Sequence, residues 1–131
     1  MKVSVIGAGN VGASVAQRIA EGGLADAVMV DVAEGMPQGK ALDLMQAAPV
    51  VGHDSQITGA NSYEAIEGSD VVVITAGLPR KPGMTRLDLL KVNAEIVGGV
   101  AGEVKRRCPK AVVIVVTNPL DVMTHMAQTV T

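Results

Sequence analysis

The chain has 131 residues, of which 48% are hydrophobic, and it carries a formal charge of -2, one cysteine, one tyrosine and neither tryptophan nor phenylalanine. This length suits one domain with an aliphatic core, while a single cysteine excludes a disulfide framework or a multi-cysteine metal site and favours a reducing, cytoplasmic compartment. We expect no nucleic-acid groove, because no basic stripe is interleaved with aromatics, and no membrane contact, because the apolar runs are far shorter than the roughly 20 residues of a spanning helix.

Short, valine-rich apolar runs alternate with segments of helical spacing. The runs lie at 2–6, 27–30, 71–76 and 111–117, with a weaker candidate at 55–59. The helical patterns lie at 11–21, 37–48 and 85–107, with a helical turn at 64–66 and a further helix after residue 118. Apolar runs without polar alternation are typical of strands buried on both faces of a parallel sheet. The alternation predicts an α/β fold with a doubly wound parallel sheet of about five strands and helices on both faces.

Recognisable signals mark the ends of the predicted helices. The first helix is expected to stop at Gly22 and Gly23, and the second to end at Pro49. Thr85 and Asp88 resemble a capping box in which Asp replaces the usual Glu, so we expect the longest helix to begin there. Cations at 105–107 favour the C-terminus of that helix.

A glycine-rich loop connects the first predicted strand to the first predicted helix. Gly7, Gly9 and Gly12 match the pattern G-x-G-x-x-G, which directly follows a strand and opens a helix. In this setting the glycines permit a tight turn, close approach of a pyrophosphate, and helix packing on the strand, and the fold is of the Rossmann type. Asp31 closes the second strand, where an acid can bind ribose hydroxyls and repel a 2'-phosphate, so NAD is favoured over NADP. The alternative is a purely structural turn in which Asp31 caps a loop.

Three cations lie in the loop that follows the strand at 71–76. Arg80, Lys81 and Arg86 accompany Gly and Pro residues that signal turns and hinges. The loop leaves the carboxyl end of its strand, where open α/β sheets bind ligands, and Arg can hold a carboxylate through two parallel hydrogen bonds. The alternative is a solvated basic loop. Asn118, at the end of the last strand, could bond substrate or nicotinamide, or equally the backbone of its own turn.

Four of these stretches together resemble the lactate and malate dehydrogenase family, and most closely its lactate-dehydrogenase-like malate dehydrogenases. The matching stretches are 5–12, 37–44, 75–86 and 117–121. Members interconvert a 2-hydroxy acid and a 2-keto acid by hydride transfer with NAD. The resemblance implies that 1–131 is the dinucleotide-binding domain and that the substrate is a small dicarboxylate, malate or oxaloacetate.

Residue roles follow from the same resemblance. Arg80 would bind the second carboxylate of the substrate, at a position where lactate-specific relatives typically carry Gln. Arg86 would be catalytic by polarising the keto oxygen, and Asn118 would orient substrate and cofactor. The loop with both arginines would close as a lid. The cofactor-binding residues that we expect are Gly7, Gly9, Asn10, Val11, Gly12, Asp31, Thr75, Ala76, Gly77, Asn93, Thr117 and Asn118.

The family's catalytic His and Asp are expected in a C-terminal catalytic domain that this sequence does not contain. His53 precedes the third strand, and His125 lies two helical turns past Asn118, so we expect neither to replace the catalytic His. The chain should therefore bind NAD without efficient turnover alone. A non-catalytic or engineered dinucleotide-binding module, and the same half of a lactate dehydrogenase, are the alternatives. We also expect a homo-oligomer, because uncovered apolar surface favours self-association.

Overall fold

Five strands alternate with four α-helices in the computed structural model, which describes all 131 residues. The elements are β1 (Lys2–Ile6), α1 (Asn10–Glu21), β2 (Asp26–Val30), α2 (Met36–Val51), β3 (Ile57–Ala60), a short 3-10 helix (Tyr63–Ile66), β4 (Val71–Ile74), α3 (Arg86–Arg107), β5 (Val112–Val115) and α4 (Leu120–Val130). The predicted order of elements is confirmed, including the weaker third strand.

All five strands are parallel, in the order β3-β2-β1-β4-β5. Val3 of β1 lies level with Ala27 of β2 on one side and Val71 of β4 on the other. Since the chain runs outward from β1 in both directions, the strand order reverses between β1 and β4. In open α/β sheets the ligand crevice lies beyond the carboxyl ends of the strands at this reversal.

A separate aliphatic core covers each face of the sheet. Residues of α1 and α2 pack with Val5 and Val73 on one face, while α3, α4 and the 3-10 helix pack with Val72 and Ile74 on the other. Neighbouring residues of β4 therefore point to opposite faces, and both faces are covered. This arrangement confirms the predicted doubly wound fold and explains how a core forms without Phe or Trp.

Three sequence expectations need correction. The strands β4 and β5 end two residues earlier than predicted, at Ile74 and Val115. One backbone hydrogen bond still continues each ladder, from the Thr75 amide to the Ile6 oxygen and from the Val116 amide to the Ile74 oxygen. Beyond that point the side-chain hydroxyls of Thr75 and Thr117 bond carbonyl oxygens of the adjoining loops. The helix α2 continues past Pro49 to Val51. It does so because Pro49 lies in the last turn, where only one backbone hydrogen bond is lost, and the helix stops at left-handed Gly52.

The third correction concerns β5, which is not buried on both faces. It forms the edge of the sheet, and Val112 and Ile114 are 63% and 48% exposed. Val113 and Val115 alone pack into the core of that half. An edge strand and a central strand can thus share one apolar pattern, because the pattern does not record how many neighbours the strand has.

The longest helix, α3, begins at the predicted capping box. The amide of Asp88 donates to Thr85 Oγ1 at 3.1 Å, and the amide of Thr85 donates to Asp88 Oδ2 at 2.9 Å. These hydrogen bonds hold the pKa of the Asp88 carboxyl below its usual range. None of the helices combines the length and the hydropathy that a bilayer crossing requires.

Candidate functional site

The glycine loop lies between β1 and α1, at the carboxyl edge of the sheet where the strand order reverses. Gly7 has a φ of 101°, and a Cβ there would lie 2.7 Å from both the Ala76 nitrogen and Thr75 Oγ1. A Cβ at Gly12 would overlap the carbonyl oxygen of Gly7 and lie 2.8 Å from Thr75 Oγ1. The protein's own packing therefore requires glycine at both positions.

Gly9 differs from its two companions because nothing in the protein requires a glycine there. Its φ and ψ of -65° and -165° are open to any residue, and a Cβ would meet no atom within 4 Å. Gly9 is also the N-cap of α1, which no side chain caps. The first intrahelical hydrogen bond runs from the Ala13 amide to the Gly9 oxygen at 3.0 Å. The amides of Asn10, Val11 and Gly12 precede it and have no acceptor within the chain, as is usual for the first turn of a helix.

Asp31 directly follows β2, as the sequence predicts, and its carboxylate is held in the crevice. Oδ2 accepts a hydrogen bond from the Ala8 amide at 2.7 Å, and Oδ1 accepts one from the Ala33 amide at 2.9 Å. The loop-capping interpretation thus describes this structure. A carboxylate has about four lone-pair sites, so two of them stay available to the hydroxyls of a ribose. Capping and ribose binding are therefore compatible functions of the same side chain.

Two side chains outside the glycine motif, which sequence reasoning gave no role, hold the same region. Lys40 of α2 donates from Nζ to the Ala8 oxygen at 2.7 Å, so Ala8 is fixed through both its oxygen and its amide. Asn61, which follows β3, donates to the Asp31 and Ala33 oxygens at 2.8 and 2.9 Å. These partners lie 32, 30 and 28 positions away in sequence. No local pattern could have indicated them.

Residues 75–77 and 117–118, predicted to bind cofactor, are tied to one another and to the glycine loop. Thr75 Oγ1 donates to the Gly7 oxygen at 2.9 Å, and Thr117 Oγ1 donates to the Ala76 oxygen at 2.6 Å. A Cβ at Gly77 would lie 2.5 Å from Thr117 Cγ2. The two threonine hydroxyls are therefore engaged in bracing the loops at the ends of β1, β4 and β5.

Asn93 of α3, also predicted to bind cofactor, is fully buried and joins two of these loops. Its Oδ1 accepts from the Leu78 amide at 2.8 Å, and its Nδ2 donates to the Leu78 and Asn118 oxygens at 3.2 and 2.8 Å. This side chain fixes the start of the loop after β4 relative to the turn after β5. A direct contact of Asn93 with cofactor stays a prediction.

The arginine loop, residues 75–85, and the first residue of α3 present three cations that form no salt bridge, Arg80, Lys81 and Arg86. Arg80 is exposed and its single hydrogen bond within the chain runs from Nε to the Met84 oxygen at 3.3 Å. Arg86, the first residue of α3, is exposed and, like Arg80 and Lys81, takes part in none of the four salt bridges. The side-chain amide of Asn118 is also exposed and makes no hydrogen bond within the chain. These groups are free to bind an anion, and the solvated-loop interpretation stays open.

Neither histidine lies among these groups. His53 precedes β3, at the amino edge of the sheet, as predicted from the sequence. Its Nδ1 is buried and has no hydrogen-bond partner. His125 is exposed and lies in the middle of α4. The carboxyl edge therefore carries arginines, an asparagine and an aspartate but no imidazole.

Tyr63, the single aromatic residue by the Phe, Trp and Tyr count, is the first residue of the 3-10 helix that follows β3. The side chain is half-buried, and burial together with the charges of Glu103 and Asp31 raises the pKa of its hydroxyl. The ring packs against the core formed by α3, α4 and the 3-10 helix.

Known proteins match both the sequence and this geometry. The model of the lactate/malate dehydrogenase NAD binding domain matches residues 1–131. A malate dehydrogenase of Thermomicrobium roseum is 60% identical over 96% of this chain, which spans 41% of that relative. The malate dehydrogenase of Archaeoglobus fulgidus, solved in complex with NADH, superposes with a TM-score of 0.95 at 40% identity, covering 100% of this chain and 45% of that one.

A lactate dehydrogenase is also similar. That of Cryptosporidium parvum, solved with lactic acid and nicotinamide adenine dinucleotide, gives a TM-score of 0.92 at 48% identity over 98% of this chain and 41% of that one. The chain thus spans about two-fifths of the length of the relatives that it matches. With a family model that covers every residue, the chain belongs to the lactate/malate dehydrogenase family, as its NAD-binding domain.

Proposed function

We propose that this chain binds NAD at the glycine loop and supplies the cofactor-binding half of a malate dehydrogenase. The observation that carries the proposal is Gly9, a glycine whose backbone angles and surroundings would accept any side chain. A ligand that approaches the backbone explains the absence of a Cβ, and a pyrophosphate beside the free amides of α1 is such a ligand. The residues present therefore fit a dinucleotide.

The adenosine end is assigned to Asp31. Its carboxylate already accepts two backbone hydrogen bonds, which fix its direction while leaving room for two ribose hydroxyls. A phosphate on the ribose 2' oxygen would bring negative charge against this carboxylate, so we propose selectivity for NAD over NADP. Titration of the chain with NADH and NADPH tests this point. Asp31→Ala should weaken NADH binding and remove most of the difference between the two.

The substrate end is assigned to Arg80, Arg86 and Asn118. Bound NAD supplies the hydride acceptor for malate oxidation. Arg86 would donate to the substrate oxygen on which negative charge develops, stabilising the transition state more than the ground state. Arg80 would hold the second carboxylate of malate through paired hydrogen bonds, and Asn118 would orient the substrate with its free amide. All three are exposed at the carboxyl edge in this structure.

Specificity for a dicarboxylate is the finer part of this proposal. Nitrogen-15 NMR of the arginine side chains can test it, with malate, lactate and malonate added to the NAD-loaded chain. Malate and malonate should shift the Nε resonance of Arg80, whereas lactate should not. In Arg80→Gln, the Nε resonance of Arg86 should shift equally with malate and with lactate, because the group that distinguishes them is gone. Equal shifts by lactate would favour the lactate dehydrogenase alternative.

Proton transfer is the step for which the described residues offer no group. His125 is exposed in the middle of α4, and His53 lies at the opposite edge of the sheet. We therefore propose that the catalytic histidine and its aspartate belong to a second domain. The chain of 131 residues mixed with oxaloacetate and NADH should show saturable NADH binding and almost no oxidation of NADH. Family-like turnover that survives repurification and the substitution His125→Ala would contradict the proposal that the proton-transfer residues belong to a second domain.

Self-association is proposed from the exposed apolar side chains. Val112, Ile114 and Val116 along the free edge of the sheet are 63%, 48% and 38% exposed, and Val11 and Leu24 on α1 and its following turn are 56% and 64% exposed. Unpaired strand edges with β-branched residues are typical sites of association. Sedimentation should show dimers or larger species, and Ile114→Lys should reduce them. A strict monomer at high concentration would contradict the proposal.

A further inference from the structure

The loop between β2 and α2, residues 31–35, has no apolar anchor of its own. Residues 32–35 are all exposed, and Val32 is 87% exposed. Yet this loop carries Asp31, and its Ala33 amide donates to the Asp31 carboxylate. Some other interaction has to define its path, because exposed loops without side-chain contacts are ordinarily mobile.

That interaction is the side chain of Asn61, which uses its full hydrogen-bonding capacity on this segment. Nδ2 donates to the oxygens of Asp31 and Ala33 at 2.8 and 2.9 Å. Oδ1 accepts from Gln38 Nε2 at 2.7 Å and from the Gly35 amide at 3.3 Å. An asparagine side chain has two N–H donors and two acceptor lone pairs, so this amide has no capacity left for another partner.

The backbone next to Asn61 supports the same segment. The Asp31 amide donates to the Ala60 oxygen at 3.2 Å, so the strand end at Ala60 and the side chain of Asn61 hold Asp31 from the β3 side. The Ala8 amide holds the Asp31 carboxylate from the β1 side. The position of this carboxylate is thus defined by two chain segments besides its own loop, and of these two only the glycine loop belongs to the dinucleotide motif.

We propose that Asn61 is a positioning residue that sets dinucleotide selectivity by fixing the loop that presents Asp31. The inference rests on the proposed binding of NAD. With the loop fixed, the carboxylate accepts from ribose hydroxyls and repels a 2'-phosphate. With the loop released, the carboxylate can turn toward solvent, so that both the attraction for NADH and the repulsion of NADPH weaken. Asn61 affects ribose binding by positioning Asp31 and does not itself contact the ligand.

The test compares dissociation constants for NADH and NADPH in the 131-residue chain and its variants. Asn61→Ala should raise the dissociation constant for NADH about fivefold to tenfold, as loss of a net hydrogen bond or two would, while that for NADPH should not rise. Asn61→Asp should behave similarly, because it loses both donors and sets a carboxylate against two carbonyl oxygens. Gln38→Ala is the matched control: it removes one partner of Asn61 but leaves the three bonds to the loop, so selectivity should stay near that of the wild type.

A double-mutant comparison separates positioning from general destabilisation. In an Asp31→Ala background, Asn61→Ala should change NADH affinity less than about twofold, since the group that it positions is gone. Without any ligand, amide hydrogen exchange at Ala33 should be faster in Asn61→Ala, whereas exchange in β1 and β4 should be unchanged.

Equal weakening of NADH and NADPH, full additivity with Asp31→Ala, or unchanged exchange at Ala33 would overturn the assignment. A wild-type chain that binds no NADH would overturn the proposed function itself, and this inference with it. A wild type that binds NADH, together with an Asn61→Ala variant that binds it equally well and selectively, would overturn only the inference.

Discussion

Replacement of Gly9 by alanine should weaken NADH binding while leaving the stability of the free protein almost unchanged. In the free protein the new methyl group would meet no atom within 4 Å, and the backbone angles of Gly9 suit alanine. Reduced entropy of the unfolded chain favours the variant by about 0.4–1 kcal/mol. The lower preference for alanine at an N-cap opposes it by a similar amount. We expect the free energy of unfolding to change by less than about 1 kcal/mol.

The same methyl group lies where the pyrophosphate must approach the backbone. A misfit of this kind in a close contact costs on the order of 1–3 kcal/mol, which corresponds to a rise in the dissociation constant for NADH of about fivefold to 160-fold. Fluorescence titration with NADH measures the affinity, and urea unfolding followed by circular dichroism measures the stability.

Gly12→Ala is the matched control, because the protein itself excludes a side chain there. Its Cβ would overlap the Gly7 oxygen and lie 2.8 Å from Thr75 Oγ1, whereas real Cβ contacts are not shorter than 3.0 Å. Either α1 or the loop has to move, and we expect a loss of about 3 kcal/mol or more in the free energy of unfolding. If Gly9→Ala binds NADH as tightly as the wild type, the glycine loop is not the pyrophosphate site. If it unfolds the chain, the distinction between Gly9 and Gly12 is wrong.

Lys40, Tyr63 and Thr85 each make a contact whose removal or titration can be measured. Lys40→Met keeps the aliphatic stem but removes the hydrogen bond to the Ala8 oxygen, so NADH should bind about threefold to tenfold more weakly. An effect that disappears in high salt would instead indicate a long-range charge effect. Burial, followed by the charges of Glu103 and Asp31, raises the pKa of Tyr63. Its contribution to stability is therefore constant below its unfolded pKa of about 10 and is lost as pH rises from there through the folded pKa. The absorbance of tyrosinate should give a higher titration midpoint for Tyr63 in the folded chain than in urea. Equal midpoints would mean that folding does not raise the pKa of Tyr63. Thr85→Ala removes half of the capping box and should cost about 0.5–2 kcal/mol of stability in urea unfolding, while an unchanged transition would mean that the cap is not stabilising.

Much of the fold could be predicted because its signals are local. Each strand is a short apolar run, α1 follows the glycine loop, and the capping box at Thr85 starts α3 as expected. The places where prediction was wrong depend on neighbours in space. The exposed side chains of β5 result from its position at the sheet edge, and α2 passes Pro49 because its last turn tolerates the missing amide.

In the candidate site, too, the residues with a local sequence signal could be predicted, and those that act through distant contacts could not. The roles predicted for Gly7, Gly9 and Asp31 rest on a motif with a known physical basis, and the Ala8 amide between the first two glycines bonds the Asp31 carboxylate in the structure. Lys40 and Asn61 act on residues some thirty positions away. Their partners become visible only when the strand order brings the loops after β1, β2 and β3 to one edge.

A further limit of prediction from sequence is shown by Thr75, Thr117 and Asn93. Sequence reasoning grouped them with the cofactor-binding residues, and the structure shows their side chains bonded to backbone oxygens and amides of the crevice loops. A residue type and its position at a strand end cannot distinguish a group that touches a ligand from one that shapes the loop beside it.

The central claim, that NAD lies across the carboxyl edge between the glycine loop and Asp31, is tested most directly by amide chemical-shift mapping. Nitrogen-15 spectra of the chain should be recorded while NADH is added. We predict saturable shifts concentrated at residues 8–13, 31–34 and 75–77, with the amino edge around His53 unaffected. Shifts that do not saturate, or that cluster away from the glycine loop, would contradict it.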